Sequence, residues 1–144
     1  MCANESAAQQ LSALRKLIAQ AEDSFEVSSA PTVDVATPML RHALRLGAKG
    51  IRITPGRPRS HVEYLLQSRW QGVLTVSRDI CRHVTTWLKL LTNTIDITIK
   101  GVPQEGVIVL AESPADICFL LKTTPAEHGE SVSIRIERGI PPRV

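Results

Sequence analysis

"TTPAEHGESVSIRI", Thr123 to Ile136, reads as a turn feeding a strand. Pro125 fixes the chain before a tight connection, Gly129 can take a positive φ where the chain reverses, and Ser131 to Ile136 alternates polar and apolar residues as a half-buried strand does. Glu127, His128 and Glu130 crowd the same turn and raise the question of a chemical site. No other ligand set accompanies them along the chain, so they read as turn residues.

Working outward, "IDITIK", "GVIVLA" and "DICFLLK" precede this strand, separated by "GVPQEG" and "ESPA", and all read as further strands. Before them Ile80, Val84, Trp87, Leu88 and Leu91 recur at helical spacing behind Ser77, with Asp79 in the first turn, where the helix dipole favours a carboxylate. Further upstream "GIRIT", a basic "PGRPR" turn and "HVEYLLQSRWQGVLTV" suggest a strand and then a hairpin about Gly72. A helix over "PMLRHALRLG" is bracketed by Thr37 as N-cap, Pro38 at the first helical position and Gly47 past the end.

Ser6 and Gln9 form a capping box ahead of Leu11, Leu14, Leu17, Ile18 and Ala21, which mark one face of an amphipathic helix ending near Ala21. Its apolar face could dock on its own domain or on another protein. From Asp23 to Thr37 the period is lost, as in a linker, so residues 1–30 read as a helix and linker, 31–139 as the main domain and 140–144 as a tail. Helices followed by a run of mostly antiparallel strands make an α+β layer rather than an alternating α/β fold.

The chain of 144 residues suits one domain with an appendage. Aromatics are 3% of residues, so aliphatic side chains must build the core. The net charge is +3, but residues 1–30 hold two cations against four carboxylates, so the remainder carries +5. An excess of that size is usually solvated surface. Cys2, Cys81 and Cys118 are odd in number and form no C-x-x-C, which fits reduced thiols in a cytoplasmic protein. No apolar run reaches bilayer length and "MCANESAAQQ" is polar, so any membrane contact is expected through a partner.

Chemical motifs fare poorly. Gly101 and Gly106 have the separation of the P-loop glycines, but the positions that need Lys and Ser or Thr hold Val107 and Ile108. His42, His61, His83 and His128 are scattered, and Cys81 and His83 lie two apart on a helix, facing different ways, so no metal is expected. Cys81 and Cys118 sit in apolar runs without a nucleophile signature. Arg41, Arg45, Arg52, Arg57, Arg59 and Arg69 could form a basic face, but Tyr64 and Trp70 alone make a poor stacking platform, so no nucleic acid is expected.

"MLRHALRLGAKGIRITP", "SRWQGVL", "WLKLLTNTIDITIKGVPQEG" and "TTPAEHGESVSIRI", in that order over roughly residues 33–137, together resemble the second N-terminal domain of the secretion ATPases of type II secretion and type IV pilus assembly. That family carries an A-S-D-I-H-I-E-P strand, then R-x-R-x-D-G, a helix ending L-D-I-A-E, then R-x-P-Q-D-G-R, and a P-T-x-x-G-E turn. The resemblance implies a PAS-like α+β fold and matches Arg69, Gly72, Pro103, Gln104, Gly106, Pro125, Gly129, Glu130 and Arg135 to family positions. It also marks departures: family arginines fall at Gln67, Val107 and Leu120, and one extra residue stands between Lys89 and Asp96.

Neither Gln nor Leu supplies the always-charged planar fork that stabilises a transferring phosphoryl group. The sequence ends at "ERGIPPRV", about where the family's linker to its motor domain begins, so no ATP hydrolysis is expected of this chain. A non-catalytic scaffold, adaptor or regulator is implied, without a cofactor, with a secretion or pilus motor component as protein partner and with homo-oligomers open. Arg69 and Arg135 are the retained charges to test. The rival is a PAS-like sensor holding a small ligand in a pocket lined by Trp70 and Cys118.

Overall fold

The computed structural model describes residues 6–27, 34–92, 95–97, 99, 101–110 and 116–138. Helix α1 spans Ala7–Val27, six residues beyond its expected end at Ala21. Its start is the expected capping box: the Gln9 N–H donates to Ser6 Oγ at 3.1 Å and the Ser6 N–H to Gln9 Oε1 at 2.8 Å. Past Ala21 the helix has a tertiary hold. Glu22 accepts from the Arg59 guanidinium at 3.1 Å and from the Ser77 N–H at 2.9 Å, which ties this turn to the body of the domain. Leu14, Ile18 and Ala21 are buried in the common core, so the apolar face docks on its own domain. The expected boundary near Ala30 and the tail 140–144 lie outside the described residues.

Helix α2 spans Ala36–Arg45, and Asp34 rather than Thr37 supplies the capping acceptor, its Oδ1 taking the Thr37 N–H at 3.1 Å. Gly47, at φ 75°, ends it as expected. Buried His42 on this helix lies 2.9 Å from the Tyr64 hydroxyl through Nδ1, and that hydroxyl donates to the Met39 carbonyl at 3.3 Å, a satisfied polar pair within the core.

Strands β1 (Gly50–Thr54), β2 (Ser60–Leu66) and β3 (Arg69–Val76) precede helix α3 (Arg78–Thr92), and β4 (Gln104–Leu110), β5 (Ile117–Ala126) and β6 (Gly129–Arg138) follow it. They form one six-stranded sheet in the order β3-β2-β1-β6-β5-β4, every pair antiparallel. The helices cover one face, where Ile51, Ile53, Val62, Tyr64, Phe119, Leu121, Val132 and Ile134 meet Leu14, Met39, Ile80, Val84 and Leu88. The α+β class is as read.

Three further expectations are corrected. The β2–β3 hairpin turns at Gln67 and Ser68, with φ 53° and 66°, whereas Gly72 lies inside β3 opposite Glu63. Two consecutive left-handed residues match the strand twist in a two-residue loop, and Gln-Ser carries none of the usual Asn-Gly signal. Val62 pairs Leu74 while Glu63 pairs Gly72, leaving Val73 as a bulge. "IDITIK" is not a strand at its described residues 95–97 and 99: Ile97 and Ile99 stay exposed, so the alternation buries no face there. Finally, Thr123–Ala126 belong to β5, and the turn shrinks to Glu127 and His128 between paired Ala126 and Gly129.

Candidate functional site

Among the described residues the helices lie on one face only, which leaves the other face of the sheet open. Its central cross-strand row follows from register: Val107 pairs Leu120, Leu120 pairs Arg135, Arg135 pairs Gly50, Gly50 pairs Leu65, and Leu65 pairs Trp70. Side chains paired in this way share a face. One line of apolar residues therefore crosses all six strands, with Arg135 as its single charge.

Trp70 closes the far end of the row. A Cβ on Gly50 would stand 3.3 Å from the Trp70 ring edge and 3.0 Å from the Ile134 carbonyl, so the missing side chain at Gly50 is what lets the indole lie across the neighbouring strands. The Arg52 guanidinium sits 4.3 Å from the ring centroid and donates to Glu63 at 2.9 Å. That stack fixes the indole on a face where it stays 37% exposed.

The adjacent row is polar. Glu105 pairs Lys122, Lys122 pairs Ser133, Ser133 pairs Arg52, and Arg52 pairs Glu63, so opposite charges face each other at both ends. On the other side Val109 pairs Cys118 and Cys118 pairs Glu137, whose carboxylate accepts from Arg135 at 2.9 Å. Val107 and Val109 lie on edge strand β4, exposed at 36% and 53%, which makes that edge the most apolar part of the face. Trp70 and Cys118 stand on different strands far across the sheet and line no common pocket of the kind the sensor reading required.

The family-matched residues separate into groups. Arg135 is in the central row, and Arg69 is exposed at the start of edge strand β3, beside the Gln67 turn. Gly72 sits by the bulge, and Pro103 is exposed ahead of β4. Gln104 and Gly106 are structural: the Gln104 amide donates to the Asp96 carbonyl at 3.1 Å, and a Cβ on Gly106 would stand 2.9 Å from Thr92 Cβ, where the end of α3 presses on β4.

Pro125, Gly129 and Glu130 lie elsewhere, beside α3. They line a cleft of about 430 Å³ with Arg78, Arg82, Thr86 and Lys89. Lys89 Nζ lies 2.7 and 2.9 Å from the two Glu130 carboxylate oxygens, and its side chain is only 4% exposed. The turn trio is thus split, with Glu130 in an ion pair and His128 at the cleft wall. The sequence carries one signal for Lys89: its spacing of four and eight from Thr85 and Cys81 places it on a buried side of α3.

Burial pushes the thiols of Cys81 and Cys118 above their usual values, with Asp116 and Glu137 adding to the rise at Cys118, so neither is poised as a thiolate nucleophile. Among the described residues no three His, Cys or carboxylate side chains gather as a metal site, and no helix is long and apolar enough to cross a membrane. The open face offers an apolar row with one cation, flanked by paired charges, rather than a reacting group.

No protein-family model matches the chain. It is 29% identical over 113 residues to type II secretion system protein E of Xanthomonas campestris, covering 76% of this chain and 19% of that protein. It is 28% identical over 124 residues to the type II secretion system ATPase E of Vibrio cholerae, covering 85% of this chain and 24% of that protein. The chain thus spans about a quarter or less of the curated relatives it matches. The solved structure of the ATPase DotB of Legionella pneumophila superposes with a TM-score of 0.52 at 16% identity, over 75% of this chain and 30% of that one, a likeness of fold alone.

Proposed function

We propose that this chain, a relative of part of the type II secretion ATPases, works as a non-catalytic scaffold, adaptor or regulatory module that docks on a secretion or pilus motor protein. Its main domain corresponds in this reading to the second N-terminal domain of that family. The observation that carries the proposal is the central row of the open sheet face. Two of the positions at which the family resemblance expects an arginine, Val107 and Leu120, stand in one line with Arg135.

A row that would hold several cations in a phosphate-handling protein is here apolar with one charge. Such a row suits burial against a protein surface rather than contact with a polyphosphate, because Val and Leu cannot solvate phosphate oxygens and lose nothing by desolvation. Trp70, held by Arg52 over Gly50, is a pre-ordered anchor of the kind that dominates interface energies. Among the described residues β4 is an edge strand, which adds its outer backbone groups next to Val107 and Val109.

The test uses the purified chain and a secretion ATPase from the same cell. Isothermal titration is expected to show saturable one-to-one binding per motor subunit, and the chain alone is expected to hydrolyse no ATP. Hydrolysis by the isolated chain, or an absence of binding to every such ATPase the cell encodes, would sink the reading.

A further inference from the structure

The cleft between α3 and the β5–β6 turn lies on the helix side of the sheet, away from the open face, and nothing in the docking proposal uses it. Arg78, Arg82, Thr86 and Lys89 follow one another along α3 at intervals of three and four, so a single side of the helix carries three cations and a hydroxyl into one wall. Among the described residues Glu130 is the only carboxylate in the lining, and it is already bound to Lys89. The lining therefore keeps an excess of two positive charges.

Lys89 is the built feature of this wall. An ammonium group has three N–H donors. Two reach the Glu130 oxygens, and the third has no partner among the described residues, in a side chain that is 4% exposed. Arg78 likewise has no partner among the described residues, and Arg82 is held only by a loose contact of 3.6 Å to exposed Asp79. Pro55, Ile97, Pro125 and Ala126 supply apolar surface to the same lining. Cations with spare donors beside apolar surface match a ligand with an anionic head and a compact greasy body. The cleft volume, about 430 Å³, suits a small molecule.

We propose that this cleft binds a small phosphate monoester, its phosphate oxygens taking the free Lys89 N–H, the Arg78 and Arg82 guanidinium groups and the Thr86 hydroxyl, and its organic body lying against Pro55, Ile97 and Pro125. The phosphate is the better-matched anion because it offers three acceptor oxygens to several charge-assisted donors of one wall.

The probe is phenyl phosphate, titrated into the whole chain at low salt and followed by backbone amide NMR, with phenol and inorganic phosphate as its two halves. Saturable shifts at Gly101, His128 and Gly129 are expected, with phenyl phosphate at least about tenfold tighter than either half. Arg78→Ala/Arg82→Ala should weaken binding at least tenfold, as loss of charge-assisted hydrogen bonds requires. Lys89→Met/Glu130→Leu, which removes the ion pair together with the spare donor, should weaken it while its amide spectrum stays folded, and Arg45→Ala, at an exposed position on α2, should change nothing. Shifts absent from the cleft, phenol binding as tightly as phenyl phosphate, or undiminished binding in the folded double variants would each overturn the proposal.

Discussion

Lys89 and Glu130 join the middle of the domain to its hairpin tip: a lysine nine residues along α3 from Ile80 places its ammonium within 2.9 Å of both oxygens of the carboxylate that follows Gly129. Removing one partner leaves a buried charge without its counterion. Glu130→Gln is expected to destabilise by about 2–4 kcal/mol, less than the largest buried-pair losses because Glu130 keeps 20% exposure. Lys89→Met/Glu130→Leu should recover most of that loss in urea melts. A double variant as unstable as the single one would show that packing, not charge, holds this contact.

Gly106 is required by its neighbour. Its absent Cβ would stand 2.9 Å from both Thr92 Cβ and Cγ2, and Thr92 is pinned by donating to the Lys89 carbonyl at 2.7 Å. Gly106→Ala should therefore cost about 1–3 kcal/mol through overpacking. Thr92→Ser, which keeps the hydroxyl and removes Cγ2, should return part of it when the two changes are combined, as read by thermal unfolding.

Gly50 seats the Trp70 indole. Gly50→Ala places a methyl 3.3 Å from that ring and 3.0 Å from a backbone carbonyl. We expect a red-shifted Trp emission in a Trp87→Phe background, as the indole lifts off Arg52 into water, with a loss of stability of about 1 kcal/mol. Unchanged emission would mean that the indole position does not depend on the bare glycine.

Burial raises the Cys81 thiol from an ordinary value of 9.0, and burial raises Tyr64 as well. Both groups are neutral when protonated, and their folded values lie above the unfolded ones. Their contribution to stability is thus complete below about pH 9 and is lost as pH rises through the folded values. Urea midpoints should be level from pH 7 to 8 and fall above 9, with Cys81→Ala shallower than the wild type on that limb. A midpoint that rises above pH 9 would contradict the assignment.

Much of this architecture was legible because it depends on local chemistry. The Ser6–Gln9 capping box, the Gly47 stop, the period of α3 and the alternation of β6 each rest on neighbours a few residues apart. What was hidden depends on partners far away in sequence. The extension of α1 past Ala21 rests on Glu22 meeting Arg59 and Ser77, and the hairpin at Gln67–Ser68 is imposed by strand pairing rather than by turn residues. "IDITIK" alternates like a strand, yet Ile97 and Ile99 stay exposed and its described residues join no strand.

The site divides in the same way. Resemblance picked out Arg135 and the substituted positions Val107 and Leu120, but only register shows them as one row, and nothing local announces that Gly50 makes room for Trp70. Glu130 was visible as a turn residue, and its role beside Lys89 required α3 to pack against the hairpin.

The docking claim is tested most directly by titrating a secretion ATPase of the same cell with the wild-type chain and with Val107→Asp/Arg135→Glu. Both residues are exposed, so the fold should survive. We expect at least about tenfold weaker binding for the variant at an unchanged melting temperature, a loss that follows when a charge enters an apolar contact and the central row's cation is reversed. Equal affinity for the two proteins would contradict it.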